Sequence, residues 1–143
     1  MLNRLSATVL VAILAVVVAA CSGDPTGPNN VKTQYEVRYA VNGTCTGSML
    51  NGNQISIAYT IDAGATTGII TTIPFSTTVT INTQGPITAV AIAADCPGGG
   101  TTDNTITAEV YVDNNLRDSQ SATGSNSLLV TAATVINTTD SQI

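Results

Sequence analysis

With no histidine anywhere in the chain, the reactive side chains on offer are three cysteines, nine carboxylates and a single lysine. The commonest general base is therefore missing. A nucleophilic serine or threonine would have to be activated by Lys32 or by a carboxylate. Asp62, Asp95, Asp103 and Asp113 all sit in stretches that read as turns, and turn geometry alone accounts for each of them. A glycosidase needs two carboxyl groups facing one bond, and no spacing here pairs any two. Asp113-Asn114-Asn115 with Asp118 offers the oxygen ligands that Ca²⁺ takes, but not at the spacing of an EF-hand loop. Zinc held by a cysteine pair would lack its remaining ligands. Gly98-Gly99-Gly100 has no helix behind it to complete a phosphate cradle, and reads as a flexible loop. Tyr111 falls on the outward face of its strand, where a sugar or peptide could stack, although a lone outward Tyr is more often surface packing.

Cys21 stands apart from Cys45 and Cys96 because of what precedes it. Met1 to Arg4 carries one basic residue, and Leu5 to Ala20 is apolar except for Ser6 and Thr8. A spanning helix needs about 20 apolar residues. This run is shorter and ends in small residues, as a cleavable leader does. Val18-Ala19-Ala20-Cys21 resembles the lipobox of bacterial lipoproteins: apolar, small, small, cysteine. The resemblance implies that residues 1–20 are removed, that the Cys21 thiol receives a diacylglyceryl group and that the new amine is acylated. Two or more acyl chains hold a protein stably at a membrane. Ser22, where the inner-membrane retention signal of the enterobacterial members has Asp, implies passage to the outer membrane. Residues 21–30, rich in Pro, Gly and polar side chains, read as a flexible tether. In an exported chain the remaining even pair, Cys45 and Cys96, implies a disulfide.

What remains of the 143-residue chain is one domain's length. Past the leader, Lys32, Arg38 and Arg117 are the only bases against nine acidic side chains. That balance excludes nucleic acid as a partner and adhesion to anionic lipid by overall charge. Thr, Ser, Asn and Gly supply most of the polarity, and the β-branched Thr, Val and Ile suit a pleated surface.

The order of elements agrees with that composition. Val31 to Val41 alternates, with Val31, Thr33, Tyr35, Val37, Tyr39 and Val41 on one face, and Asn42-Gly43 reads as the turn that ends it. Thr44 to Asn53 is less regular. Gln54 to Ile61 places Ile55, Ile57, Tyr59 and Ile61 inward and Ser56, Ala58 and Thr60 outward. Gly68 to Ile73 is a short strand that Pro74 ends or confines to an edge. Phe75 to Ile81 alternates, and the apolar Ile87 to Ala94 suits a strand buried on both faces. Thr105 to Val112 turns through Asp113-Asn114-Asn115 into a polar edge strand, Leu116 to Ala122. Leu128 to Ile136 is the last strand. About seven or eight strands with turn chemistry every ten residues or so predict an all-β, immunoglobulin-like antiparallel sandwich over residues 31–143.

Ile73-Pro74-Phe75-Ser76-Thr77-Thr78-Val79-Thr80 resembles the "LPWSKTVT"-like segment of the mycobacterial small membrane proteins of MmpS type. Ile106 to Val130, with Val110-Tyr111-Val112-Asp113 and Ala122-Thr123-Gly124, resembles their closing hairpin. Tyr35-Glu36-Val37 and Val41-Asn42-Gly43-Thr44 fit the opening. The resemblance spans most of residues 31–136. It implies an extracytoplasmic β-sandwich that assists a lipid- or siderophore-exporting transporter. The chain departs from that family by its lipobox, which stands where the family keeps a membrane helix, and by Phe75, which stands where the family has Trp.

The sequence therefore predicts a non-catalytic binding or scaffolding module of the cell envelope, anchored through Cys21, with an envelope protein or transporter as partner and no cofactor. Gly98, Gly99, Asp103, Asp113, Asn114 and Asn115 are the candidate recognition residues, because loops on a rigid sandwich commonly carry binding. The alternative is an envelope hydrolase using the turn carboxylates.

Overall fold

The computed structural model describes residues 32–46, 53–98 and 103–138. The leader, Cys21, the tether, residues 47–52 of the less regular stretch, Gly99 and the residues from 139 on lie outside the described residues. Eight strands follow one another: β1 (Gln34–Thr44), β2 (Gln54–Asp62), β3 (Ala65–Thr72), β4 (Phe75–Asn82), β5 (Ile87–Cys96), β6 (Asn104–Val112), β7 (Asn115–Gly124) and β8 (Leu128–Asn137). They form two four-stranded sheets, ordered β4-β1-β6-β7 and β3-β2-β5-β8, and the pairings are antiparallel. The protein is an all-β sandwich. It shares with immunoglobulin domains the two antiparallel layers and a disulfide between them, but where a constant domain packs four strands on three, here both layers have four.

Period-two alternation builds the core. Tyr35, Val37, Tyr39 and Val41 of β1 and Ile106, Ala108, Val110 and Val112 of β6 point inward from the first sheet. Ile55 and Ile57 of β2 and Val90, Ile92 and Ala94 of β5 meet them from the second. Burying one such Val or Ile side chain is worth roughly 1.5–3 kcal/mol, more than a typical net hydrogen bond at about 1 kcal/mol. The inward rows, more than the ladders, therefore hold the layers together. Tyr39, Tyr59 and Phe75 add an aromatic file, with successive centroids 5.4 and 5.9 Å apart, in the range where tilted rings attract. The Tyr39 hydroxyl is buried without a hydrogen bond. Burial pushes its ionisation well above the ordinary value, and the neighbouring Thr60 hydroxyl offsets only part of that rise.

Three expectations from the sequence need correction. Asn42-Gly43 is not a turn: β1 runs through it to Thr44, paired with β6 as far as Thr105. Ile61 points to solvent, 40 % exposed, and Thr60 is buried, the reverse of the alternation. The register with β3 shifts between Thr60 and Asp62, which leaves Ile61 as the extra residue of a bulge and re-aims it out of the alternation. Thr60 Oγ1 lies 3.2 Å from the Ala91 N–H it accepts, standing in for a ladder bond. The third correction concerns β5, which is buried on both faces only over Val90–Ala94; Ile87 and Ala89 are exposed.

The edge strands β7 and β8 approach each other across the layers. Asp118 of β7 accepts the backbone N–H of Ala133 of β8 at 2.9 Å, covering an edge donor that would otherwise invite another strand. That hydrogen bond, with smaller help from Gln120 and Ser119, holds the Asp118 carboxyl below its usual 3.8. Between the two values the unfolded chain binds more protons, so stability rises with pH there. The contribution is full above 3.8 and is lost as pH falls through the lower native value. Asp118→Asn should therefore cost stability at pH 6, and the gap from wild type should narrow by pH 3. Urea midpoints at the two pH values check this, and a gap independent of pH contradicts it.

Candidate functional site

The candidate recognition residues lie at opposite ends of the sandwich. Asp103 immediately precedes β6, and Asp113 and Asn114 immediately follow it. At about 3.3 Å per residue a strand of this length separates them by nearly 30 Å, so they cannot form one surface.

The first end carries the Cys45–Cys96 disulfide, which joins the residue after β1 to the last residue of β5 and so ties one layer to the other. Beside it Asn104, fully buried, pins Thr46. Its Oδ1 accepts the Thr46 N–H at 2.7 Å and the Thr46 hydroxyl at 3.0 Å, and its Nδ2 donates to the Thr46 carbonyl at 3.1 Å. Gly98 is packed rather than free: a Cβ there would stand 2.3 Å from the Asn126 carbonyl carbon. Ser127 Oγ donates to Asp95 at 3.2 Å. Partial burial raises the Asp95 carboxyl, and the Ser127 bond lowers it by less. Of this end's candidates, Asp103 is exposed.

At the second end the Asp113-Asn114 turn has both residues in the left-handed region, at φ 49° and 64°, where Asp and Asn are tolerated. Asn115 Nδ2 closes the turn on the Asp113 carbonyl at 3.0 Å. Asp113 is engaged on both oxygens. Oδ2 pairs with Lys32, and Oδ1 accepts the Glu36 N–H at 3.2 Å. Asp62 accepts the Ala63 and Asn82 N–H groups at the same end. A cleft of about 300 Å³ opens here, lined by residues that include Lys32, Tyr35, Val112, Arg117 and Ile136. Reasoning from sequence missed this cleft, because neither cation has a sequence neighbour that signals it.

Asp62 and Asp113 thus act as clamps on backbone donors, while Asp95 takes the Ser127 hydroxyl. No group of three or more cysteine, aspartate and glutamate side chains among the described residues could hold a metal ion. Tyr111 faces outward as expected, but Arg38 covers its ring at 3.6 Å and its hydroxyl donates to Glu109 at 3.1 Å. Across the same face Thr105 meets Thr123 at 2.9 Å and Thr107 meets Ser121 at 2.6 Å. The outer face of the second sheet is apolar instead, with Ile70, Leu129 and Val135 exposed. No model of a known protein family and no curated protein matches the chain.

Proposed function

We propose that this chain is a lipid-anchored, non-catalytic binding module of the cell envelope, held at the outer membrane through Cys21 and engaging an envelope protein through the loops farthest from its tether. One observation supports the reading above others. β1 begins near Lys32 at the cleft end and ends just before Cys45, at the disulfide end. A chain tethered ahead of Lys32 would turn the cleft end toward the membrane and present the disulfide end, with Asp103, to the envelope. Cross-linking the layers there gives loops a rigid base, as recognition requires. The clamping of Asp62 and Asp113 by backbone donors favours binding over an envelope hydrolase. It leaves only Asp95 and Asp103 of the turn carboxylates for proton transfer, and no contact among the described residues pairs them with each other. The MmpS-type resemblance extends the proposal to a transporter as the partner, which a lipid anchor would bring into the same membrane system.

The test is loop exchange. Residues 99–103 are replaced by Gly-Ser of equal length, sparing Gly98 and Asn104 because both are packed. The melting temperature should hold within a few degrees while the envelope protein that cross-links to wild type is lost. Retention of that partner at wild-type yield would place recognition elsewhere and contradict the proposal.

A further inference from the structure

Past residue 4 the chain has only three basic side chains, Lys32, Arg38 and Arg117. Arg38 lies over the Tyr111 ring on the outer face. The other two line one cleft, although 85 positions separate them in the sequence. Register brings them together. Pairing of Val37 with Val112 sets the start of β1 beside the β6–β7 turn. On β7, Leu116 pairs with Tyr111 and Asp118 with Val110, which leaves Arg117 as the extra residue of a bulge. A bulge re-aims a side chain out of the regular alternation. Asp118, on the next position, is clamped to β8 and fixes the strand that carries Arg117.

The charges in the cleft are unequal. Asp113 offsets Lys32 and holds it at the rim, and Lys32 also sits 4.7 Å from the centre of the Tyr35 ring. Arg117 is exposed and makes no ion pair among the described residues. The local balance is one positive charge beside the half-exposed Val135, the core residues Val112 and Ile136 adding only their edges to the lining. A singly charged oxyanion on an apolar body matches it, and a guanidinium grips phosphate oxygens in a planar fork. At about 300 Å³ the space is at the lower end for a small-molecule site.

We propose that this cleft binds a phosphodiester monoanion carried on an apolar body, its oxygens on Arg117 and Lys32 and its apolar part against Val135. The same chemistry is found in a free phosphodiester and in a phospholipid headgroup. Lys32 is 11 residues from Cys21, a reach of at most roughly 40 Å, so an anchored domain could bring the cleft to the bilayer. The acidic chain as a whole repels an anionic surface, so contact would be one headgroup on two side chains. The site itself does not require the anchor, and its failure would leave the anchor reading untouched.

The experiment is an NMR titration of the full chain in non-ionic detergent with dibutyl phosphate. Saturable shifts should centre on Tyr35, Val135 and Ile136. Arg117→Gln should weaken binding about tenfold, the scale of one charge-assisted contact, while Arg117→Lys keeps most of it and Arg38→Gln changes nothing. Shifts elsewhere, or equal affinity in Arg117→Gln, would overturn the proposal. Inorganic phosphate binding as tightly as dibutyl phosphate would overturn it too, because the apolar walls would then contribute nothing. The same signals are then read in phosphatidylcholine nanodiscs with and without phosphatidylglycerol. Arg117-dependent shifts on adding phosphatidylglycerol assign a bilayer headgroup, and silence after dibutyl phosphate has bound assigns a free ester.

Discussion

Removing the Cys45–Cys96 disulfide should lower the stability of this domain by about 4 kcal/mol, the chain-entropy benefit for a sequence separation of 51. That is a large share of the 5–15 kcal/mol typical of a folded domain, and it corresponds to a fall in melting temperature of roughly 15–30 °C. The position of the bond supports the full effect. It joins opposite layers at the end where β1 leaves for β2 and β5 leaves for β6. The three contacts of Asn104 to Thr46 tie the end of β1 to β6 of its own sheet, so they do not replace this link between the layers. Both cysteines are buried, at 1 % and 0 % exposure, so they pack as small apolar groups whether or not they are bonded. Reduced wild-type protein keeps both side chains and therefore isolates the cross-link from the packing, which a Cys45→Ala/Cys96→Ala variant would also disturb by a cavity. The thermal melt of the reduced protein should show the stated fall, and a melting temperature within a few degrees of the oxidised form would contradict the assignment.

Gly43→Ala should be nearly as damaging, at about 3 kcal/mol, combining backbone strain with overpacking. Gly43 pairs with Ile106 inside the β1–β6 ladder at φ 125°, and a Cβ there would stand 1.9 Å from the Thr105 carbonyl oxygen. That oxygen belongs to backbone, so the strands would have to part at the end that carries Cys45. Gly64 is the matched control. Its φ is also positive, at 75°, but nothing lies within 4 Å of its absent Cβ, so Gly64→Ala should cost only about 1 kcal/mol. Urea unfolding of both variants decides between them. Equal costs would mean that left-handed backbone, and not the close approach of β6, is what Gly43 provides.

Gly43 also shows where sequence reasoning stops. Asn-Gly is a strong turn signal, and only the partner strand reveals that here the glycine admits a neighbouring carbonyl. The rows of β1, β4 and β6 were legible because alternation is local: Tyr35, Val37, Tyr39 and Val41 declare their face by spacing alone. Thr60 and Ile61 were not, because a bulge depends on the pairing of β2 with β3 and leaves no mark in composition. The same limit hid the cleft. Lys32 meets Asp113 across 81 positions, and Arg117 reaches the cleft through a register shift. The cysteine pair was legible because an even pair in a chain whose leader reads as an export signal has few other expected fates. That Asp103 and Asp113 sit at opposite ends follows from their place before and after one strand, once β6 is known to run unbroken.

The anchor is the premise from which the orientation of both ends follows, and the intact mass of the protein extracted from its native membranes tests it most directly. The account predicts a chain that begins at Cys21 and carries the mass of a diacylglyceryl group plus an amide-linked acyl chain. A chain that retains Leu5 to Ala20, or begins at another residue without acyl mass, would contradict it.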